Sequence, residues 1–78
     1  MDIVEVTWND AATCAHVISM EEAAEHGDMT ARTVGYLTKQ DKEAVTLVMT
    51  LFPDINDAKF KWTIPRGMIK KIRKLGKV

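Results

Sequence analysis

Cys14 and His16, one residue apart, together with His26, are the soft metal ligands and ready nucleophile or base candidates in this 78-residue chain. A structural zinc site needs a second pair at matching spacing, and none follows. A Cys–His nucleophile needs a third, orienting group and a pocket. Glu21, Glu22, Glu25 and Asp28 crowd one short stretch, but a solvated acidic helix face accounts for them without acid–base work. The chain has no phosphate-cradling Gly-rich loop and no nucleophile elbow. The expectation is therefore a protein with no catalytic residues, no metal and no cofactor.

Charge offers more. Residues 1–31 hold seven acids and no Lys or Arg, residues 32–58 hold three bases and four acids, and residues 59–78 hold eight bases and no acid. The net charge is zero, so the asymmetry is one of placement. Arg66, Lys70, Lys71, Arg73 and Lys74 form the candidate nucleic-acid or partner surface. Glu21, Glu22, Glu25 and Asp28 form a candidate acidic partner surface. A basic patch of this size can neutralise phosphates with a steep salt dependence. Exposed strands also carry Lys simply to prevent edge-to-edge pairing, and the two chain ends can lie side by side and neutralise each other. Trp8, Tyr36, Phe52, Phe60 and Trp62 could stack bases. The competing assignment puts Trp8, Phe60 and Trp62 in the core, because each lies on the apolar face of an alternating segment.

The elements that must position these groups are short. Val4-Glu5-Val6-Thr7-Trp8 alternates as a strand, and Asn9-Asp10 signals a turn. Residues 11–18 are ambiguous between loop and irregular strand. Ser19 with Glu22 three residues on has capping-box spacing, opening a helix of at most two turns that His26 and Gly27 would stop. Thr30–Thr38 reads as a strand with Gly35 marking a bend or close approach. Residues 39–43 read as a polar loop. Ala44–Phe52 reads as the longest strand, partly covered on both faces. Pro53 ends it and residues 54–57 turn the chain. Lys59–Ile64 alternates as a half-buried strand. Residues 65–75 admit two readings: a helix, from the spacing of Met68, Ile69, Ile72 and Leu75, or a 3₁₀ turn over 65–68 followed by a strand from Ile69 to Leu75. The second is favoured. On such a strand, Lys71 and Arg73 share one face and Lys70 and Lys74 the other.

Length and composition set the frame. Seventy-eight residues, 46% hydrophobic and 28% charged, predict a single globular domain over 1–78. A domain this small buries only ~60% of its unfolded surface, which makes self-association a common remedy. No apolar run approaches the ~20 residues a membrane helix needs. The opening MDIVEV is acidic where a secretory signal is basic. A single cysteine excludes an internal disulfide and points to a reducing, cytoplasmic setting.

Val6-Thr7-Trp8-Asn9-Asp10-Ala11, Val34-Gly35-Tyr36-Leu37, Asp41-Lys42-Glu43 and Ile64-Pro65 through Ile69 and Ile72 make up a pattern covering most of the chain. In it the chain resembles a group of small bacteriophage- and prophage-borne proteins. That resemblance implies the cytoplasm of a bacterial host and a host or phage protein as partner; it implies no activity. A second likeness is to Sm-like barrels: Gly35-x-Leu37-x-x-x-Asp41 with Leu47-Val48, then Ile64 through Arg66-Gly67 to Ile69 and Ile72. The Asn that Sm proteins set beside the RNA base is missing, with Val45 or Thr46 in its place, and the helix follows the first strand where the Sm helix precedes it. Src-homology-type barrels share the strand–3₁₀–strand close. The expected fold is mainly β, a five-stranded Sm-like or Src-homology-type barrel with one short helix inserted after the first strand. The expected function is a non-enzymatic protein-binding module acting on host machinery or host defence. The alternative is an oligomeric nucleic-acid or nucleotide binder using the basic C-terminal segment. A homo-oligomer built by head-to-tail contact of the oppositely charged ends is also expected.

Overall fold

A computed structural model describes residues 1–11, 17–25 and 28–78. Cys14, His16, His26 and Gly27 lie outside the described residues, and with them the proposed helix stop. In chain order the elements are β1 (Asp2–Ala11), α1 (Met20–Ala23), β2 (Asp28–Gln40), β3 (Ala44–Phe52), a 3₁₀ turn (Pro53–Ile55), β4 (Asp57–Pro65), a second 3₁₀ turn (Arg66–Met68) and β5 (Ile69–Lys77). The strands form one antiparallel sheet in the order β4-β3-β2-β1-β5. The mainly-β reading and the short helix after the first strand are both present.

The alternating residues of β1 build the core. Val4, Val6 and Trp8 are buried with Val45 and Leu47 of β3 and Ile64 of β4. Ala31, Leu37, Met49, Met68, Ile69 and Ile72 pack around them. The turn expected at Asn9-Asp10 does not form. β1 runs through it, paired with β2 as far as Ala11 opposite Asp28. A ladder that satisfies the backbone donors and acceptors outweighs the local turn preference of these two side chains.

Gly35 sets the bend. A Cβ there would lie 2.8 Å from Met49 Cε, 2.9 Å from the Val48 carbonyl oxygen and 3.2 Å from Leu47 Cβ. Only a residue without a side chain lets β3 approach β2 this closely. Beyond that point β3 leaves β2: their pairing ends at Tyr36 opposite Val48, while β3 and β4 stay paired out to Phe52 opposite Asp57. The distal half of the β3–β4 hairpin thus projects from the sheet. The longest dimension is 54 Å against 22 and 20 Å, with a radius of gyration of 16.1 Å. A compact chain of this length would have about 11.5 Å.

The sheet is not closed into the expected barrel; it curls but stays open, with β4 and β5 as its two edges. Closure would require β4 and β5 to exchange hydrogen bonds. At their junction Pro65 has no N–H to donate to such a ladder. The Arg66 N–H is committed to the Glu43 carbonyl, on the β3 side.

Residues 65–75 adopt the turn-and-strand alternative. Their helix-like spacing has a local cause. Trp8 pairs with Ile69 and Val6 with Ile72, with a register shift between Thr7 and Trp8. Two steps along β1 therefore match three along β5. The β-bulge lets isoleucines three apart both face the core.

Candidate interaction surfaces

The basic segment is largely engaged within the molecule. Arg73 Nη2 lies 3.5 Å from Glu5 Oε1, directly across the β1–β5 ladder. Lys74 Nζ lies 3.4 Å from Asp2 Oδ1. The two chain ends do sit side by side: the Met1 ammonium donates to the Val78 carbonyl at 3.0 Å, and the Val78 N–H to the Met1 carbonyl at 2.9 Å. The terminal charge blocks thus meet in part through Asp2 and Glu5, two acids outside the proposed acidic surface.

Arg66 is a clamp. Its Nε donates to the Asp41 carbonyl at 2.7 Å and its Nη2 to Gln40 Oε1 at 3.3 Å. The loop it holds is built on the Asp41 carboxylate, whose Oδ1 accepts from the Ala44 N–H at 3.0 Å and the Glu43 N–H at 2.8 Å. Those two backbone donors, first that of Ala44 and then that of Glu43, hold the Asp41 carboxyl below its ordinary value. Asp41 thus shapes the β2–β3 turn, while Gly35 lets β3 approach β2.

Strand alternation alone would separate Lys70 from Lys71 and Arg73. The bulge in β5 changes this. Lys70 Nζ reaches Thr30 Oγ1 at 3.5 Å. Thr30 pairs with Asn9, two residues from Thr7, which pairs with Lys71. Directly paired residues share a face, so Lys70, Lys71 and Arg73 gather on the outer face of β1. Arg32 joins them. It pairs with Thr7 from the other side, placing Arg32 and Lys71 in one cross-strand row. Sequence reasoning missed Arg32, because only the pairing register brings it to the C-terminal segment. Lys71 has no ion pair among the described residues.

The acidic candidates come less far. Ser19 Oγ accepts from the Glu22 N–H at 3.1 Å, as the cap spacing requires. Glu21 and Glu22 on α1 and Glu25 after it are all exposed. Asp28 opens β2, and its side chain lies outside the described residues.

Exposed apolar side chains lie around α1, where Val17 and Met20 are open to solvent, and on the β3–β4 hairpin. Phe60 is 62% exposed, Ile55 66% and Trp62 45%. The core assignment of Phe60 and Trp62 is thereby corrected. Trp8 and Ile64 are buried, but Phe60 sits where β3 has left β2, so no neighbouring strand covers it. Trp62 is half covered by Trp8, at a centroid distance of 5.9 Å. Phe60 also has φ of 60°, a left-handed conformation costing a bulky residue about 1–3 kcal/mol. Lys59 Nζ stands 4.8 Å from its ring centroid. At the hairpin end, Leu51, Phe52, Pro53, Asp54 and Ile55 line an open cavity of about 300 Å³.

Among the described residues no group of three or more His, Cys, Asp or Glu is arranged to hold a metal ion. No helix among them is long and apolar enough to cross a membrane. Compared with protein-family models, curated proteins and solved structures, the chain matches none.

Proposed function

We propose that this chain is a non-enzymatic binding module that engages a protein through the projecting β3–β4 hairpin. The observation carrying this reading is the exposure of Phe52, Ile55 and Phe60 on one hairpin, with a strained aromatic among them. Phe52 and Ile55 line one open cavity at the hairpin end, and exposed apolar surface of this kind marks contact sites. Backbone strain at an exposed aromatic is retained where it presents that side chain to a partner. The strand order and the 3₁₀ turn between β4 and β5 support kinship with Sm-like or Src-homology-type folds in an opened form. A bacterial host or phage protein is the partner class that the phage-borne resemblance favours.

The test uses immobilised wild-type chain, Ile55→Ser and Lys71→Ala against bacterial host lysate, read by mass spectrometry. A protein captured by wild type and Lys71→Ala but not by Ile55→Ser is the expected result. Capture unaffected by Ile55→Ser overturns the reading.

A second reading, nucleic-acid binding, is favoured by one observation: the row of Arg32, Thr7 and Lys71 with Lys70 and Arg73 beside it. It ranks second because Glu5, within that face, already pairs with Arg73.

A further inference from the structure

We infer that the partner covering the β3–β4 hairpin is a second copy of this chain, docked hairpin to hairpin across a two-fold axis. The inference rests on the hairpin being a protein-docking surface and names its occupant.

Three observations carry it. The first is area. The chain exposes 6140 Å², whereas a compact monomer of 8.8 kDa exposes about 4,800 Å². The excess of roughly 1,300 Å² exceeds the ~800 Å² that each partner gives up in a standard interface and falls in the range of obligate homodimers. The hairpin, whose distal half has left β2, contributes to that surplus together with the exposed segment around α1.

The second is charge. A two-fold contact places one patch on itself, so the patch must be self-complementary. The hairpin carries Asp54 and Asp57, then Lys59 and Lys61, summing to zero. The described ion pairs join Lys39 to Asp41, Arg73 to Glu5 and Lys74 to Asp2, and none uses these four residues. With two hairpins antiparallel, the acids of one face the lysines of the other. The whole chain is also neutral, so no long-range repulsion opposes association.

The third is the manner of contact. β4 is an edge strand, but Lys59 and Lys61 and the left-handed Phe60 interrupt it. Those devices discourage a continuous strand-to-strand ladder. Phe52 and Ile55, which line one cavity at the hairpin end, are the apolar side chains that the two-fold contact buries.

Sedimentation velocity over a concentration series tests this on the full chain. Wild type is expected to dimerise. Ile55→Ser weakens the dimer on the order of ten-fold or more, the scale of an interface anchor. The double variant Asp54→Lys/Asp57→Lys is monomeric alone, as is Lys59→Asp/Lys61→Asp, and mixing the two restores a 1:1 dimer. Far-UV circular dichroism controls for folding; all these positions are exposed. A wild-type chain that stays monomeric throughout overturns the inference. So does a dimer that survives Ile55→Ser and both charge-reversed doubles. The docking reading is judged separately: a monomeric wild type whose captured protein is released by Ile55→Ser removes the second copy and leaves the hairpin as a binding surface.

Discussion

Trp8 and Trp62 meet with ring centroids 5.9 Å apart and planes tilted by 59°, although β2 and β3 lie between their strands in the sheet. The distance measures how far the open sheet curls. Trp8 is buried and its Nε1 donates to Thr33 Oγ1 at 3.0 Å, whereas Trp62 is half exposed. Trp8→Ala is expected to cost about 3–5 kcal/mol, and Trp62→Ala only about 1–2 kcal/mol, from removal of the ring pair and of a partial burial. Urea denaturation followed by tryptophan fluorescence checks both. Equal costs would mean that Trp62 is core.

Gly35→Ala is expected to destabilise by about 1–3 kcal/mol, as overpacking does. Met49 Cε is a flexible end and can move aside, but the Val48 carbonyl oxygen and Leu47 Cβ cannot. Adding Met49→Ala should therefore leave most of the destabilisation in place. Thermal melts of the single and double variants measure this.

Phe60→Gly is expected to be more stable than Phe60→Ala by about 1–2 kcal/mol, because glycine alone occupies φ of 60° without strain. The reverse order in denaturant titrations would place no strain at this residue. Phe60→Gly should still abolish hairpin binding, separating presentation of the ring from stability.

Asp41 carries the expected acid dependence. Its carboxyl is held below the ordinary value of 3.8 by the Ala44 and Glu43 N–H groups. A carboxylate with a depressed folded pKa contributes stability that is present above the unfolded value. That contribution disappears as pH falls below about 3.8 through the lowered one. Asp41→Asn should flatten the acid limb of stability against pH in that window. Denaturation midpoints across the acid range test this.

Any single-strand nucleic-acid binding should respond to the row that includes Arg32. The change Arg32→Ala/Lys70→Ala/Lys71→Ala is expected to make the log affinity against log salt shallower by ~0.7 for each phosphate that is no longer neutralised. Fluorescence anisotropy at several salt concentrations reads it. An unchanged slope removes the nucleic-acid reading for this face.

The strands were legible wherever burial on one face imposed alternation. Val4, Val6 and Trp8, and Val45 and Leu47, announce themselves because period two is the only pattern that buries them together. Ser19 and Glu22 mark a helix start because the cap is a local bond three residues long. Gly35 was legible as a bend or close approach from its residue type inside a strand, although not what approached it. Sequence alone also determined the neutral total charge and its segregation along the chain. What it could not determine depended on register. The bulge opposite Thr7 and Trp8 disguised β5 with helical spacing and brought Lys70 round to Lys71. The departure of β3 from β2 after Val48 turned Phe60 from an apparent core residue into an exposed one. The failure of β4 and β5 to pair left a curled sheet where a barrel was expected. Each of these was decided by pairing between residues far apart in the chain, where one extra residue on one strand re-aims every side chain after it.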